Sequence, residues 1–274
     1  MIVMEKVRRY MESLDLTVAV EVLEGHLDEA ARKQLPYPEM LEGLLGVEVS
    51  ARRERYLSTR TRLANLPFHR TLDDFDFGFQ PSIDERHVRE LASLSFVAEA
   101  NNLLLLGPPG VGKTHLAVAL CLQGIAGGHT AYFMRANDMM ERLTRASAEG
   151  NLRKRMRPLL SPRILVIDEF GTWPYDREAV GIFFNLVAAR YERGTIILTS
   201  NRGFAEWGEI LGDAAIAAAT LDRLLHHSHV MNIRGESYRL RGKRQSGLLV
   251  SQGLINPISE DRSEGPPSRK NMPR

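Results

Sequence analysis

Gly107-Pro108-Pro109-Gly110-Val111-Gly112-Lys113-Thr114 follows the apolar run Leu103-Leu104-Leu105-Leu106 and opens a helix-like stretch, Lys113 to Ala126. The eight residues fit the nucleotide loop G-x-x-x-x-G-K-[ST]. Glycines let backbone amides turn inward and approach phosphate oxygens with no Cβ in the way. A helix that begins at the lysine points its positive end at the same anion. In that arrangement Lys113 reaches the β- and γ-phosphates of ATP, and the Thr114 hydroxyl ligates Mg²⁺. With average residue usage, four fixed positions match by chance in about one chain per hundred of this length. The preceding strand, and a following helix carrying apolar Leu116, Ala117, Ala119, Leu120 and Cys121, make the match specific.

Further short apolar runs follow: Ala131-Tyr132-Phe133-Met134, Ile164-Leu165-Val166-Ile167, Thr195-Ile196-Ile197-Leu198-Thr199 and His229-Val230-Met231-Asn232-Ile233, separated by helical patterns. Runs apolar on both faces, alternating with helices, predict an α/β fold: a parallel sheet with helices on both faces. Upstream, residues 1–66 read as a separate helical region. Leu14, Val18, Ala19, Val22, Leu23, Leu27 and Ala30 recur at three- and four-residue spacing. The Pro36-Tyr37-Pro38 break ends that helix, and Met40, Leu44, Val47 and Ala51 carry a second one toward Pro67. Two antiparallel helices make a hairpin too small to cover its own apolar faces, so it should dock on something. Residues 67–245 form the nucleotide-binding domain. Residues 246–274, rich in Ser, Gly, Pro and charge, read as a disordered tail.

The run Ile164-Leu165-Val166-Ile167 ends in Asp168-Glu169, at the strand edge where ligands bind in open α/β sheets. Asp168 is placed to hold Mg²⁺ beside Thr114. Glu169, from the same edge, is the candidate to polarise an attacking water. The next strand ends in Ser200-Asn201; the Asn201 amide can share that water and sense the γ-phosphate, although it also fits a turn cap. Charge spread over a transferred phosphoryl group calls for a cation. Arg223, in Leu221-Asp222-Arg223-Leu224-Leu225, is the candidate arginine finger, and Arg239 a second phosphate-sensing candidate. Either also fits a surface ion pair.

The chain has 274 residues, 43% hydrophobic and 26% charged, which suffices for a core and excludes a disordered protein. One cysteine, Cys121, excludes a disulfide framework and a cysteine-rich zinc module. No apolar run approaches the roughly 18 residues of a membrane span, and Met1 to Tyr10 lack a signal-peptide core, so a cytoplasmic location is expected. The net charge is only +2, but the cations cluster. Arg52, Arg53, Arg55, Arg60 and Arg62 form one patch, and Arg153, Lys154, Arg155, Arg157 and Arg163 another. Arg52, Arg53, Arg153, Lys154 and Arg155 are the DNA-contact candidates, against solvated helix faces. His226, His227 and His229 lack metal-ligand spacing, since neighbours on a helix point apart. Trp173 and Trp207 follow the second and third motifs and are read as loop aromatics, able to stack on a base or simply to pack.

Together with the loop, several segments carry a resemblance: Thr71-Leu72-Asp73-Asp74-Phe75-Asp76-Phe77, His115-Leu116-Ala117-Val118-Ala119-Leu120, Asp168-Glu169-Phe170-Gly171, Thr199-Ser200-Asn201 and Gly235-Glu236-Ser237-Tyr238-Arg239. The chain resembles the IstB-like transposition helper ATPases, a branch of the AAA+ family close to the DnaC helicase loader, from about residue 10 to 245. The resemblance implies an ATP-dependent assembly that oligomerises on duplex DNA and assists an IstA-type transposase. It implies that Asn201 is the polar sensor, that Arg223 acts in trans and that Phe75 to Pro81 lie near the adenine. His115 joins the nucleotide-binding set as the residue next to Thr114. The N-terminal helices would serve assembly, DNA or partner contact. No helical lid domain follows the last core strand, so Arg239 is at most a substitute for a lid-borne arginine. One alternative keeps the engine and makes the partner a replicative helicase, as for a DnaC-like loader. A small-molecule phosphotransferase needs an acceptor pocket and a mobile arginine lid, whereas Asp168-Glu169 and Asn201 suit water activation. A scaffold that binds ATP without turnover fits poorly with a complete set of candidate catalytic side chains.

Overall fold

A computed structural model of the chain describes residues 2–245; the expected tail, 246–274, lies outside the described residues. Three helices come first: α1 (Ile2–Ser13), α2 (Thr17–Lys33) and α3 (Tyr37–Leu63). This corrects the two-helix expectation. The chain turns at Leu14-Asp15-Leu16, where Asp15 takes a left-handed φ of 57°, and Leu14 is 65% exposed rather than part of the apolar stripe. α2 ends where Gln34 turns left-handed, φ 51°. Pro38 sits in the first turn of α3, where its missing N–H would have been unpaired anyway. Met11, Ala19, Leu23 and Leu44 form the small core of this region.

A buried carboxylate joins these helices. Leu16 cannot cap α2 with its side chain. Glu48 of α3, 1% exposed, accepts from Val18 N at 2.8 Å and Ala19 N at 3.0 Å, and so serves as the missing cap. Arg52 and Arg55 each pair with its other oxygen at 3.1 Å. Those backbone donors, Ala19 N first, and Arg52 outweigh burial and hold the carboxyl below its ordinary 4.5. The end of α3 docks on the sheet as the sequence required. Ala64 O accepts from Phe133 N at 2.8 Å, and Asn65 Nδ2 donates to Phe133 O at 3.1 Å. Phe133 lies on an outer strand, so this contact covers part of a free sheet edge.

The remaining elements are α4 (Glu85–Leu91), α5 (Ser95–Ala98), β1 (Asn102–Leu106), α6 (Lys113–Ala126), β2 (Ala131–Arg135), α7 (Ala136–Ala148), α8 (Leu152–Leu160), β3 (Ile164–Phe170), α9 (Arg177–Arg190), β4 (Thr195–Ser200), α10 (Trp207–Ile210), α11 (Ala214–Leu225), β5 (Ser228–Asn232) and α12 (Tyr238–Gln245). The five predicted strands pair in parallel in the order β2-β3-β4-β1-β5. Leu103 and Leu105 face a layer containing α4 and α6, whereas Leu104 faces α7, α9 and α11. Both faces are buried, which explains the unbroken leucine run. At the amino ends of the strands, Arg190 is 2% exposed and donates to the carbonyls of Leu159, Pro162, Arg163 and Thr195. Burial, with Arg163 nearby, brings its pKa down to about 10. Among the described residues, those up to Tyr238 form one compact unit and those from Arg239 onward belong to a second.

Candidate active site

The loop between β1 and α6 is shaped by what crowds it. Gly110 (φ 83°) and Gly112 (φ 104°) are left-handed. A Cβ on Gly110 would run into the Ser237 hydroxyl, and one on Gly112 would lie 2.6 Å from the Phe75 ring. Neither position admits a side chain. Lys113 opens α6 at 6% exposure, and its Nζ donates to Gly107 O and Pro108 O, both at 2.7 Å. The ammonium is thus held across the loop by two of its carbonyls.

Strand order explains the acidic centre. β4 lies between β1 and β3, so the Thr199 hydroxyl comes between the loop and Asp168. Asp168, 3% exposed, accepts through Oδ1 from Thr114 Oγ1 at 2.8 Å and Thr199 Oγ1 at 2.6 Å. Thr199 Oγ1 in turn accepts from Glu169 N at 2.9 Å. Thr199 was visible in the sequence only as a strand-end residue; its role follows from which strand neighbours which. Thr114 and Asp168 bring a hydroxyl and a carboxylate together, hard oxygen donors of the type Mg²⁺ takes.

Glu169 sits on a bulge. Pairing with β4 slips between Ile167↔Leu198 and Phe170↔Ser200, and Glu169 adopts φ 58°. Such an extra residue re-aims side chains. Asp168 stays inside, while Glu169 is 46% exposed, its Oε2 3.9 Å from Arg135 Nε. Asn201 follows β4 directly and is exposed at the same strand ends. Arg223 is half-buried on α11; its Nη1 donates to Ala219 O at 3.0 Å and its guanidinium lies 4.6 Å from the Phe184 ring centre. Arg239 is exposed on α12, in the second unit.

The His115 side chain turns away from the loop. Its Nε2 lies 2.9 Å from Thr71 O, and its ring meets Phe75 and Phe68 edge-on. What His115 can offer a phosphate is its backbone N–H in the first helical turn; the imidazole instead holds the Thr71–Phe77 segment on α6. Just beyond that segment, residues 80–82 interlock with residues 234–238. Gln80 Nε2 donates to Glu236 O at 2.9 Å, Ser82 Oγ to Arg234 O at 2.6 Å, and Tyr238 N to Gly110 O at 2.9 Å. Two segments far apart in sequence therefore clasp the loop from either side.

Among the basic residues, Arg52 is taken up by the fold, donating to Leu14 O and Asp15 O as well as Glu48. Arg163 likewise donates to Val97 O, Ala98 O and Arg193 O. A guanidinium is well suited to gathering carbonyls, and sequence clustering cannot separate that use from a surface patch. Arg53, Arg153, Lys154 and Arg155 are exposed. Leu152, Met156 and Leu159 turn to the core, leaving the cationic face of α8 outward. Trp207 belongs to α10 rather than a loop; it is fully buried, 4.5 Å from the Phe170 ring, whereas Trp173 is 68% exposed. Cys121 is buried as a small apolar side chain, with its thiol pushed up to about 12. The His226 and His227 rings are 4.1 Å apart, against expectation, because His226 caps α11 and His227 lies beyond it.

Residues 10–246 match the family described as IstB-like ATP binding protein. A Pseudomonas aeruginosa protein named for ATP binding in insertion sequence IS21 is 48% identical over 239 residues, covering 87% of this chain and 89% of its own. Its counterpart in IS5376 of Geobacillus stearothermophilus is 45% identical over 240 residues, covering 88% and 96%. DnaA from Aquifex aeolicus superposes with a TM-score of 0.52 at 18% identity, covering 70% of this chain and 58% of that one. DnaI gives 0.51 at 18% identity, covering 63% and 93%. The two solved structures share the AAA+ fold, while agreement across nearly the whole length with the insertion-sequence proteins reaches beyond fold. By that agreement, the chain belongs to the IstB-like family of ATP-binding proteins.

Proposed function

We propose that this protein hydrolyses Mg²⁺–ATP at a site shared between neighbouring copies on duplex DNA, and that this assembly assists an IstA-type transposase. The hydroxyl–carboxylate–hydroxyl group of Thr114, Asp168 and Thr199 carries the reading, because it joins the phosphate loop to the strand edge that bears Glu169. The loop amides and Lys113 would grip the β- and γ-phosphates, and Thr114 and Asp168 would hold Mg²⁺. Glu169 polarises the water, with Asn201 beside it. Its half-exposed carboxylate suits a site completed by an adjoining copy, with Arg223 supplying the cation in trans after leaving Phe184.

The outward face of α8, with Arg153, Lys154 and Arg155, and Arg53 on α3 are the proposed contacts to DNA phosphates. Val3, Val7 and Tyr10 on α1, and Tyr37, Leu41 and Leu45 on α3, are exposed apolar residues; they support the N-terminal helices as the contact region for neighbouring copies or the transposase. No helix among the described residues is long and apolar enough to cross a membrane.

Phosphate release from Mg²⁺–ATP, with and without duplex DNA, tests the proposal on Glu169→Gln. Turnover should fall at least about 100-fold, within the range general-base removal gives, while ATP still binds and the complex stays on DNA. Normal hydrolysis by this variant would remove Glu169 from the mechanism. Co-precipitation with a transposase against a replicative helicase separates the two partners that the engine would serve.

A further inference from the structure

A second constellation lies at the other edge of the sheet. The turn after α9 leads through Glu192 into β4, and the end of α11 leads through His226 and His227 into β5. These turns serve the amino ends of the two strands that flank β1, and His227 O accepts from Asn102 N at 2.8 Å where β1 begins. The phosphate loop leaves β1 at its carboxyl end, so this cluster is independent of the nucleotide site.

Glu192, His226 and His227 each place a ligand atom within 4.8 Å of the other two, and all three are exposed. His227 Nε2 is 3.7 Å from Glu192 Oε1. Ligand atoms around a tetrahedral Zn²⁺, at bond lengths near 2.1 Å, stand roughly 3.4 Å apart. Modest rotations of exposed side chains therefore bring the set to bonding distance. Glu192 holds φ 56°, a left-handed turn that places its side chain at this corner. His226 is already positioned by a neighbour: the Tyr191 hydroxyl lies 2.6 Å from its Nδ1. A ligating imidazole typically donates its other ring N–H to an oxygen, fixing tautomer and orientation.

We propose that Glu192, His226 and His227 form a binding site for a borderline divalent cation, Zn²⁺ in the first instance, with Tyr191 positioning His226. Two imidazoles and a carboxylate suit Zn²⁺ over Mg²⁺, which prefers oxygen donors alone. The bound ion clips the α9–β4 turn to the α11–β5 turn, on either side of β1. Water completes the coordination, since the cluster faces solvent.

Equilibrium dialysis of untagged, nucleotide-free protein against micromolar Zn²⁺ tests the site. The expected result is one Zn²⁺ per chain, weakened at least about tenfold in His226→Ala, His227→Ala and Glu192→Gln, and about tenfold in Tyr191→Phe. Asp168→Asn should retain it, which separates this ion from any bound at the nucleotide site. Co²⁺ supplies a readout that needs no variant: two histidine ring N–H resonances should move far outside the diamagnetic range. Absence of Zn²⁺ binding by the wild type, equal binding by the cluster variants, or unmoved histidine signals would each overturn the proposal.

Discussion

Thr199 shows how much one hydroxyl organises. It donates to Asp168 and accepts from the Glu169 backbone, so it fixes the proposed Mg²⁺-binding carboxylate and the start of the proposed water-polarising residue together. Valine matches its shape but leaves a buried carboxylate oxygen short of a donor. Thr199→Val should lower kcat by about ten- to a hundredfold, in line with loss of an outer-sphere partner, while Thr199→Ser restores most of it. Steady-state phosphate release checks both variants; an unchanged kcat in Thr199→Val would reduce Thr199 to packing. Asn201 is a candidate by its place after a strand alone, whereas the partners of the threonine lie 30 and 31 residues away on the adjoining strand.

At the scale of elements, α2 depends on a carboxylate from α3 for its first turn. Glu48 has a folded pKa held below its ordinary 4.5. A depressed carboxyl contributes stability that is present above the unfolded value and lost as pH falls through the folded one. Thermal melts of wild type and Glu48→Gln should therefore differ most above pH 4.5 and converge as the pH falls below it. A constant difference across that range would mean the capping charge is not responsible. The periodicity of residues 14–33 revealed a helix but not its beginning. Asp15 breaks the pattern through a backbone conformation that its residue type permits without announcing, and the cap that replaces a local one comes from 30 residues away.

For the whole molecule, two predictions concern assembly on DNA. Arg223→Ala should lose turnover, yet mixing it with Glu169→Gln should partly restore phosphate release, because a mixed interface holds one intact pair. No recovery from variants that co-assemble would place the complete site within one chain. Replacing Arg153, Lys154 and Arg155 by Ala should weaken duplex binding and flatten the slope of log affinity against log salt by about two to three, near one for each DNA phosphate that is no longer neutralised; an unaltered slope would move the DNA elsewhere. What the sequence by itself determined was local. The phosphate loop, its helix, the five strands and the acidic strand end are set by glycine, proline and apolar periodicity within a few residues. The tertiary structure decided what depends on neighbours: Thr199 on Asp168, the clasp on Gly110 and Gly112, the capture of Arg52 and Arg163 by carbonyls, and the meeting of Glu192 with His226 and His227. Those pairings follow from strand order and from where turns end, and no local spacing rule encodes either.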